Sequence, residues 1–437
     1  MGVSMFAYYL ELAFRSLRRS RALTALMILA VALGIGASMT TLTVLHVLSG
    51  DPLPERSGSI YMPRMDPRDL SHAEDTKLPV QVTWIDGMRL LKDRRADRQA
   101  LMVGGTVPVQ SDDQAMDPFI EHARYTTADF FPMFAVPFRY GQPWSDAEDE
   151  SRAHVAVIGA DLNDRLFGGT DSVGRTIRAN GADLRIIGVL DVWRPVPHFY
   201  DIYTGSFSGS EGVFVPLSTA RALEMGRDGG ISCWGEGSTA ENEMERASCT
   251  WLQYWVQLDS AAHLEAYRRY LDGYAHEQAA LGRFQRPQHP EVIGLLAFLE
   301  EQKVVPSDVR LQVWLALGFF VVCLVNTVGL MLAKFMRRAG EVGVRRALGA
   351  SRRSVFAQLL TEAGLIGVAG GVGGLILAWA GLALVRRQPD AFARLAHLDL
   401  AMLVATLLLS VIATLIAGLL PAWRACSITP ALQLKSQ

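Results

Sequence analysis

Lysine is scarce in this 437-residue chain: there are five, heavily outnumbered by arginine, and none of them follows a glycine. The Gly-Lys-Ser/Thr turn that wraps nucleotide phosphates is therefore missing, so the chain cannot hydrolyse ATP by that route. His276-Glu277 lacks the second histidine of H-E-x-x-H, and the nine histidines show no ligand spacing. No G-x-S-x-G elbow is present either, which removes the α/β-hydrolase nucleophile. No catalytic residue, no metal ligand set and no cofactor bound by this chain is read from the sequence. Cysteine is sparse too. Cys233, Cys249, Cys323 and Cys426 show no C-x-x-C spacing, so zinc ribbons and thioredoxin-type motifs are unsupported. Cys323 and Cys426 read as bland small side chains. With a net charge of −2 there is no global field to attract nucleic acid.

What is present is apolar. Half of the residues are hydrophobic and 20% are charged, a balance that suits membrane helices joined to a water-soluble domain. Four segments have the roughly 20 apolar residues a bilayer demands: 22–47, 309–336 with its apolar part at 313–335, 356–385 and 401–420. Between the first and second lie about 260 mostly hydrophilic residues, 48–308, enough for a domain of their own. The expected fold is thus a four-helix membrane protein with a large extracytoplasmic α/β domain inserted between helices 1 and 2.

Orientation follows from the cations near the helix ends. Arg15, Arg18, Arg19 and Arg21 precede the first helix, whereas Asp51 and Glu55 follow it. The N-terminus is therefore expected inside. Four crossings then put the large domain and the short 386–400 loop outside, with the 337–355 loop and the 421–437 tail inside. Arg386, Arg387 and Arg394 in the outer loop argue the other way. They are outweighed by Arg337, Arg338, Arg345, Arg346, Arg352 and Arg353, which face one acid, Glu341, in the inner loop. The first apolar run exceeds a signal-peptide core and lacks an evident cleavage site after it, so it reads as a retained span. Ahead of it, residues 1–21 place Phe6, Tyr9, Leu10, Ala13, Phe14 and Leu17 at helical spacing, with Arg15, Arg18 and Arg19 on the other side. This predicts an interfacial amphipathic helix on the inner membrane surface.

The outer domain shows α/β patterning. Residues 155–159 read as a buried strand, 161–169 as a helix closed by glycine, and Asn180-Gly181 as a type I′ hairpin between two strands. Residues 212–217 and 250–258 read as strands, and the polar GEGSTAENEMERAS between them as a mobile loop. Cys233 and Cys249 bracket that loop. A bond between them would close about 17 residues and contribute roughly 3 kcal/mol in the chain-entropy picture. The acids Asp146, Glu148, Asp149 and Glu150 read as a solvated loop. In the membrane segments only Glu362 and Asn326 stand out as polar, and Glu362 is expected to snorkel toward the inner surface, with contact to the arginine loop as the alternative. The third segment carries Gly364, Gly367, Gly370, Gly371, Gly373 and Gly374, a pattern for close helix packing.

The arginine-rich loop has its own logic. Residues 341–348 fit a short helix, Gly349 its left-handed cap, and Ser351 the start of the next helix. Val342, Val344 and Leu348 would supply apolar contact, and Glu341, Arg345 and Arg346 ion pairs, for docking to a soluble partner.

The run EVGVRRALGASRRSVFAQLLTEA resembles the coupling segment of the MacB/FtsX superfamily of ABC transporter permeases. TTADFFPMFAVPFRYGQPW, VAVIGADLNDRLFGGTDSVGRTIRANG and RIIGVL resemble that family's periplasmic domain, and PAWRACSITPALQLK its ending; residues 191–249 follow no pattern of the family. The resemblance implies a permease in the bacterial inner membrane, both termini cytoplasmic, working as a homodimer or with a sister permease. It also implies two ABC ATPase subunits that use ATP and Mg, docked on the short inner helix and driving outer-domain motion by mechanotransmission. A periplasmic adaptor and an outer-membrane channel are compatible with it. Only about twenty residues precede the first helix, so the ATPase is expected as a separate chain. The implied function is export or extrusion. The alternative is an FtsX-like regulator that activates a cell-wall hydrolase without moving cargo.

Overall fold

Four long helices, Arg21–Ser49, Ser307–Arg337, Arg352–Val385 and Leu400–Ser427, carry stretches apolar enough to cross a membrane and are called the first to fourth spans. The computed structural model describes residues 2–72, 74, 76–110, 117–202, 204–205, 211–234, 243–304, 307–386 and 400–427. It divides into two units, Met1–Ser49 with Val305–Gln437, and Gly50–Val304. Most of the 386–400 loop and the end of the tail lie outside the described residues, as do residues 235–242 of the polar loop.

In the first unit the spans pack around alanine, glycine and hydroxyl side chains. Large apolar residues such as Trp314, Phe319, Ile376, Trp379 and Ile412 stay exposed, as helices whose outer faces meet lipid require. The helix Gly2–Arg19 ends just before the first span begins at Arg21. It buries Ala13 and Ser16 and leaves Tyr8, Phe14, Arg15 and Arg18 exposed. The helix that carries the fourth span continues past residue 420, through Pro421 to Ser427, because Ala422, Ala425 and Cys426 are buried against Met27, Phe335 and Val355. That packing outweighs the hydrogen bond proline removes.

The second unit is built on one sheet. Its strands are β1 Ile60–Arg64, β2 Arg98–Gln110, β3 Phe119–Thr126, β4 Phe138–Gly141, β5 Val155–Ile158, β6 Thr176–Ala179, β7 Ala182–Leu190, β8 Val213–Pro216, β9 Arg227–Asp228, β10 Ser232–Cys233, β11 Cys249–Thr250, β12 Gln253–Gln257 and β13 Glu291–Gly294. The order is β13-β1-β12-β2-β3-β8-β5-β7-β4, with β6 joining β2 to β7, β9 beside β2, and β10 and β11 as a separate pair. Side chains alternate across a strand, and β2 shows the result. Leu101 and Val103 enter one core with Val213, Trp251 and the helix Ala261–Ala280, whereas Ala100 and Met102 enter the other with Phe130, Phe214 and Phe298. Both faces of the sheet are therefore covered. Between β6 and β7, Asn180 and Gly181 take φ of +50° and +78°, the left-handed pair a type I′ turn needs.

Two readings of this domain change. Residues 146–150 form a short helix with a Ser145–Glu148 capping box. Asp149 is half-buried there, accepting a hydrogen bond from Ser218 Oγ at 3.0 Å, and desolvation pushes its carboxyl up to about 6. The polar loop is also anchored within its described part, because Met244 and Ala247 are buried in the core. Cys233 and Cys249 are directly opposed on β10 and β11 and joined by a disulfide.

Asp201 and Glu211, between β7 and β8, are held to the sheet by a buried charge network. From β3, Arg124 donates to Asp201 at 2.7 Å and to Glu211 at 2.8 Å, while Tyr200 donates to Glu211 and Gln253 to Asp201. Burial alone would raise the Glu211 carboxyl, but Arg124, then His198 and Tyr200, reverse that and hold it well below the ordinary range.

Candidate functional site

The second span ends at Arg337, and a short helix, Ala339–Ala347, begins one residue later. Arg338 sits between them with φ −104° and ψ 8°, outside helical geometry, so the chain turns here. Gly349 adopts φ +100°, a conformation that strains residues with a Cβ, and it closes the short helix. Ser351 then caps the third span by accepting from the Ser354 N–H.

The six candidate contact residues fall into two groups. Glu341 accepts from Arg345 at 2.9 Å and lies 3.4 Å from Arg338. Arg345 also donates to Gln358 of the third span at 3.1 Å, and Arg346 to the Cys426 carbonyl of the fourth at 3.0 Å. Val342 packs half-buried on the core of Met331, Phe335 and Leu359. Val344 and Leu348, in contrast, are 53% and 83% exposed. Arg345 and Arg346 are thus engaged within the chain, and the apolar projections of this segment are Val344 and Leu348.

Beneath the short helix lies a polar junction that sequence reasoning mostly missed. Glu362 does not snorkel outward. It is fully buried, ion-paired with Lys334 of the second span, and accepts from Ser16 Oγ at 2.7 Å. Arg338 donates to the same Ser16 hydroxyl and stands 3.6 Å from the other Glu362 oxygen. Lys334, only 1% exposed, also reaches Thr24 Oγ1 of the first span at 3.3 Å. The second and third spans, the amphipathic helix and the turn residue thus meet at a single carboxylate, with the first span joined through Lys334. Lys334 was available as a signal, being one of the five lysines and standing in the last turn of an apolar helix, where a lysine ordinarily reads as a snorkelling end residue.

The glycines of the third span serve two neighbours. A Cβ at Gly370 or Gly374 would come within 2.6 Å of Val31 or Ile35 of the first span. One at Gly371 would come within 3.1 Å of Ser410, and one at Gly367 within 3.0 Å of Val411, both in the fourth. Ser410 Oγ donates to the Gly367 carbonyl at 2.6 Å across that contact. Close backbone approach of this kind is what small residues permit inside a membrane. No group of three or more potential metal ligands occurs among the described residues.

Four membrane-length helices with a large α/β domain between the first and second define a multi-pass membrane protein. The family model of the MacB-like periplasmic core domain matches residues 24–274, and that of the FtsX-like permease C-terminal region matches residues 313–430. The chain belongs to the MacB/FtsX family of ABC transporter permeases.

It is 24% identical over 316 residues to the pyoverdine export ATP-binding/permease protein PvdT of Pseudomonas aeruginosa, covering 71% of this chain and 41% of that one. It is 23% identical over 242 residues to the macrolide export ATP-binding/permease protein MacB of Bdellovibrio bacteriovorus, covering 54% and 32%. The uncharacterized ABC transporter permease YvrN of Bacillus subtilis is 21% identical over 303 residues, covering 69% and 67%. The chain thus spans about two-fifths of the length of the PvdT proteins it matches. The periplasmic region of MacB from Actinobacillus actinomycetemcomitans aligns over 60% of this chain and 98% of its own, at 11% identity and a TM-score of 0.37. The extracellular domain of the transporter YknZ from Gram-positive bacteria aligns over 54% and 100%, at 13% identity and a TM-score of 0.35.

Proposed function

We propose that this chain is the permease subunit of an ABC-type export or extrusion system, in which ATP hydrolysis by a partner ATP-binding subunit moves the large domain. The observation that carries this reading is the short helix Ala339–Ala347. Its arginines tie it to the third and fourth spans, yet it leaves Val344 and Leu348 exposed. A displacement of those two side chains would be handed to the second span, whose other end continues into the large domain. The family membership supports it, as do the export functions in the names of the PvdT and MacB relatives.

In this reading two ATP-binding subunits serve a pair of permeases in the bacterial inner membrane, with the short helix and both termini on the cytoplasmic side. The test is gentle detergent purification of the native complex, mass spectrometry of what accompanies it, and an ATPase assay. Co-purification of an ATP-binding subunit with ATPase activity is expected. A peptidoglycan hydrolase bound in place of any ATP-driven transport would replace the export reading with a regulatory one.

A further inference from the structure

We propose that Glu362 is a positioning residue for the coupling step, tying the second span, the third span and the amphipathic helix Gly2–Arg19 into one lever beneath the short helix. The inference rests on the coupling reading above and names the group through which it acts. Glu362 is buried among apolar neighbours, and its partners come from separate elements: Lys334 from the second span, Ser16 from the amphipathic helix, and Arg338 from the turn. Arg338 in turn faces Glu341 in the first turn of the short helix, at 3.4 Å. The charges therefore form a continuous series from the surface of the short helix to the interior of the bundle.

Stability does not account for this arrangement. A buried ion pair replaced by apolar side chains of similar volume is commonly neutral or more stable, because desolvating two charges costs as much as their attraction returns. What the pair adds is direction. The surrounding contacts of Met27, Met331, Phe335 and Leu359 are apolar and tolerate sliding, since hydrophobic contact has no preferred axis. A carboxylate shared by an ammonium, a hydroxyl and a guanidinium has a defined geometry. Axial displacement of the turn at Arg338 would then be passed to the second and third spans together.

The test uses the full chain with its ATP-binding subunit, comparing hydrogen–deuterium exchange across residues 50–304 with and without ATP. Two variants are measured: the apolar pair Lys334→Met/Glu362→Leu, and Glu362→Gln, which keeps the volume and the bond to Ser16. Both are expected to retain the subunit and the ATP-free exchange pattern. The ATP-dependent change should fall by about five-fold or more, the lower end of ordinary coupling between sites. A change of wild-type size in both variants would overturn the proposal. So would loss of the subunit from both, which would make the cluster a matter of folding. If the wild-type chain itself retains no ATP-binding subunit, the coupling reading fails first and this inference falls with it.

Discussion

Lys334 and Glu362, on adjacent spans and separated by 28 positions in sequence, form an ion pair in which neither side chain is more than 1% exposed. Removing one partner and removing both should have opposite consequences. Lys334→Met leaves a buried carboxylate short of its nearest cation and should destabilise the chain by about 3 kcal/mol, whereas Lys334→Met/Glu362→Leu should be nearly neutral. Thermal unfolding of the two variants in the same detergent checks the ordering. Equal losses in both would contradict it.

The glycine positions make a steric prediction. Gly374→Val places branched carbons against Ile35, and Gly367→Val against Val411 and Thr414, so each should cost about 1–3 kcal/mol through overpacking. Gly168→Ala, on a left-handed turn of the outer domain with open space around it, should cost less and leave the spans unaffected. Detergent melting curves monitored by tryptophan fluorescence provide the comparison.

Asp149 has the opposite pH dependence from a salt-bridged acid. Its folded carboxyl titrates near about 6, against an ordinary 3.8. Between those values the folded state binds more protons than the unfolded one, so stability rises as pH falls through that window. Asp149→Asn should therefore stabilise the protein near neutrality, on the order of 1 to 2 kcal/mol, with the gain vanishing by about pH 4. A wild-type-minus-variant difference that does not shrink on acidification would contradict the assignment.

Glu211 behaves conventionally. Its folded pKa is depressed, so its contribution is present above the ordinary carboxylate range and is lost as pH falls through the folded value. Arg124→Met strands Glu211 and Asp201 in the core and should destabilise by about 3–5 kcal/mol. Proteolysis near neutral pH should then cut the segment around residues 198–211 first, whereas uniform resistance would show that the network does not anchor it.

Much of the architecture was legible. Apolar runs bounded by arginines marked the spans, the Asn180-Gly181 pair marked a hairpin, and a glycine at position 349 marked the end of a short helix. These are local signals, each fixed by backbone geometry or solvation over a few residues. The polar junction was legible only in part: the alternative contact of Glu362 with the arginine loop is made by Arg338, but Ser16 and Lys334 are far from Glu362 in sequence and individually ordinary. The internal use of Arg345 and Arg346 was hidden for the same reason: their acceptors, Gln358 and the Cys426 carbonyl, are supplied by other helices. The anchoring of Asp201 and Glu211 was hidden likewise, because their partner Arg124 lies on a strand far from them in sequence.

The central claim is that Val344 and Leu348 are the contact through which an ATP-binding subunit moves this chain. The most direct measurement is capture of that subunit by the full-length chain carrying Val344→Asp and Leu348→Asp, beside wild type. Both positions are exposed, so the fold and melting temperature should be unchanged, while captured subunit should fall by about ten-fold or more, as for an interface anchor. Undiminished capture by the double variant would contradict the account.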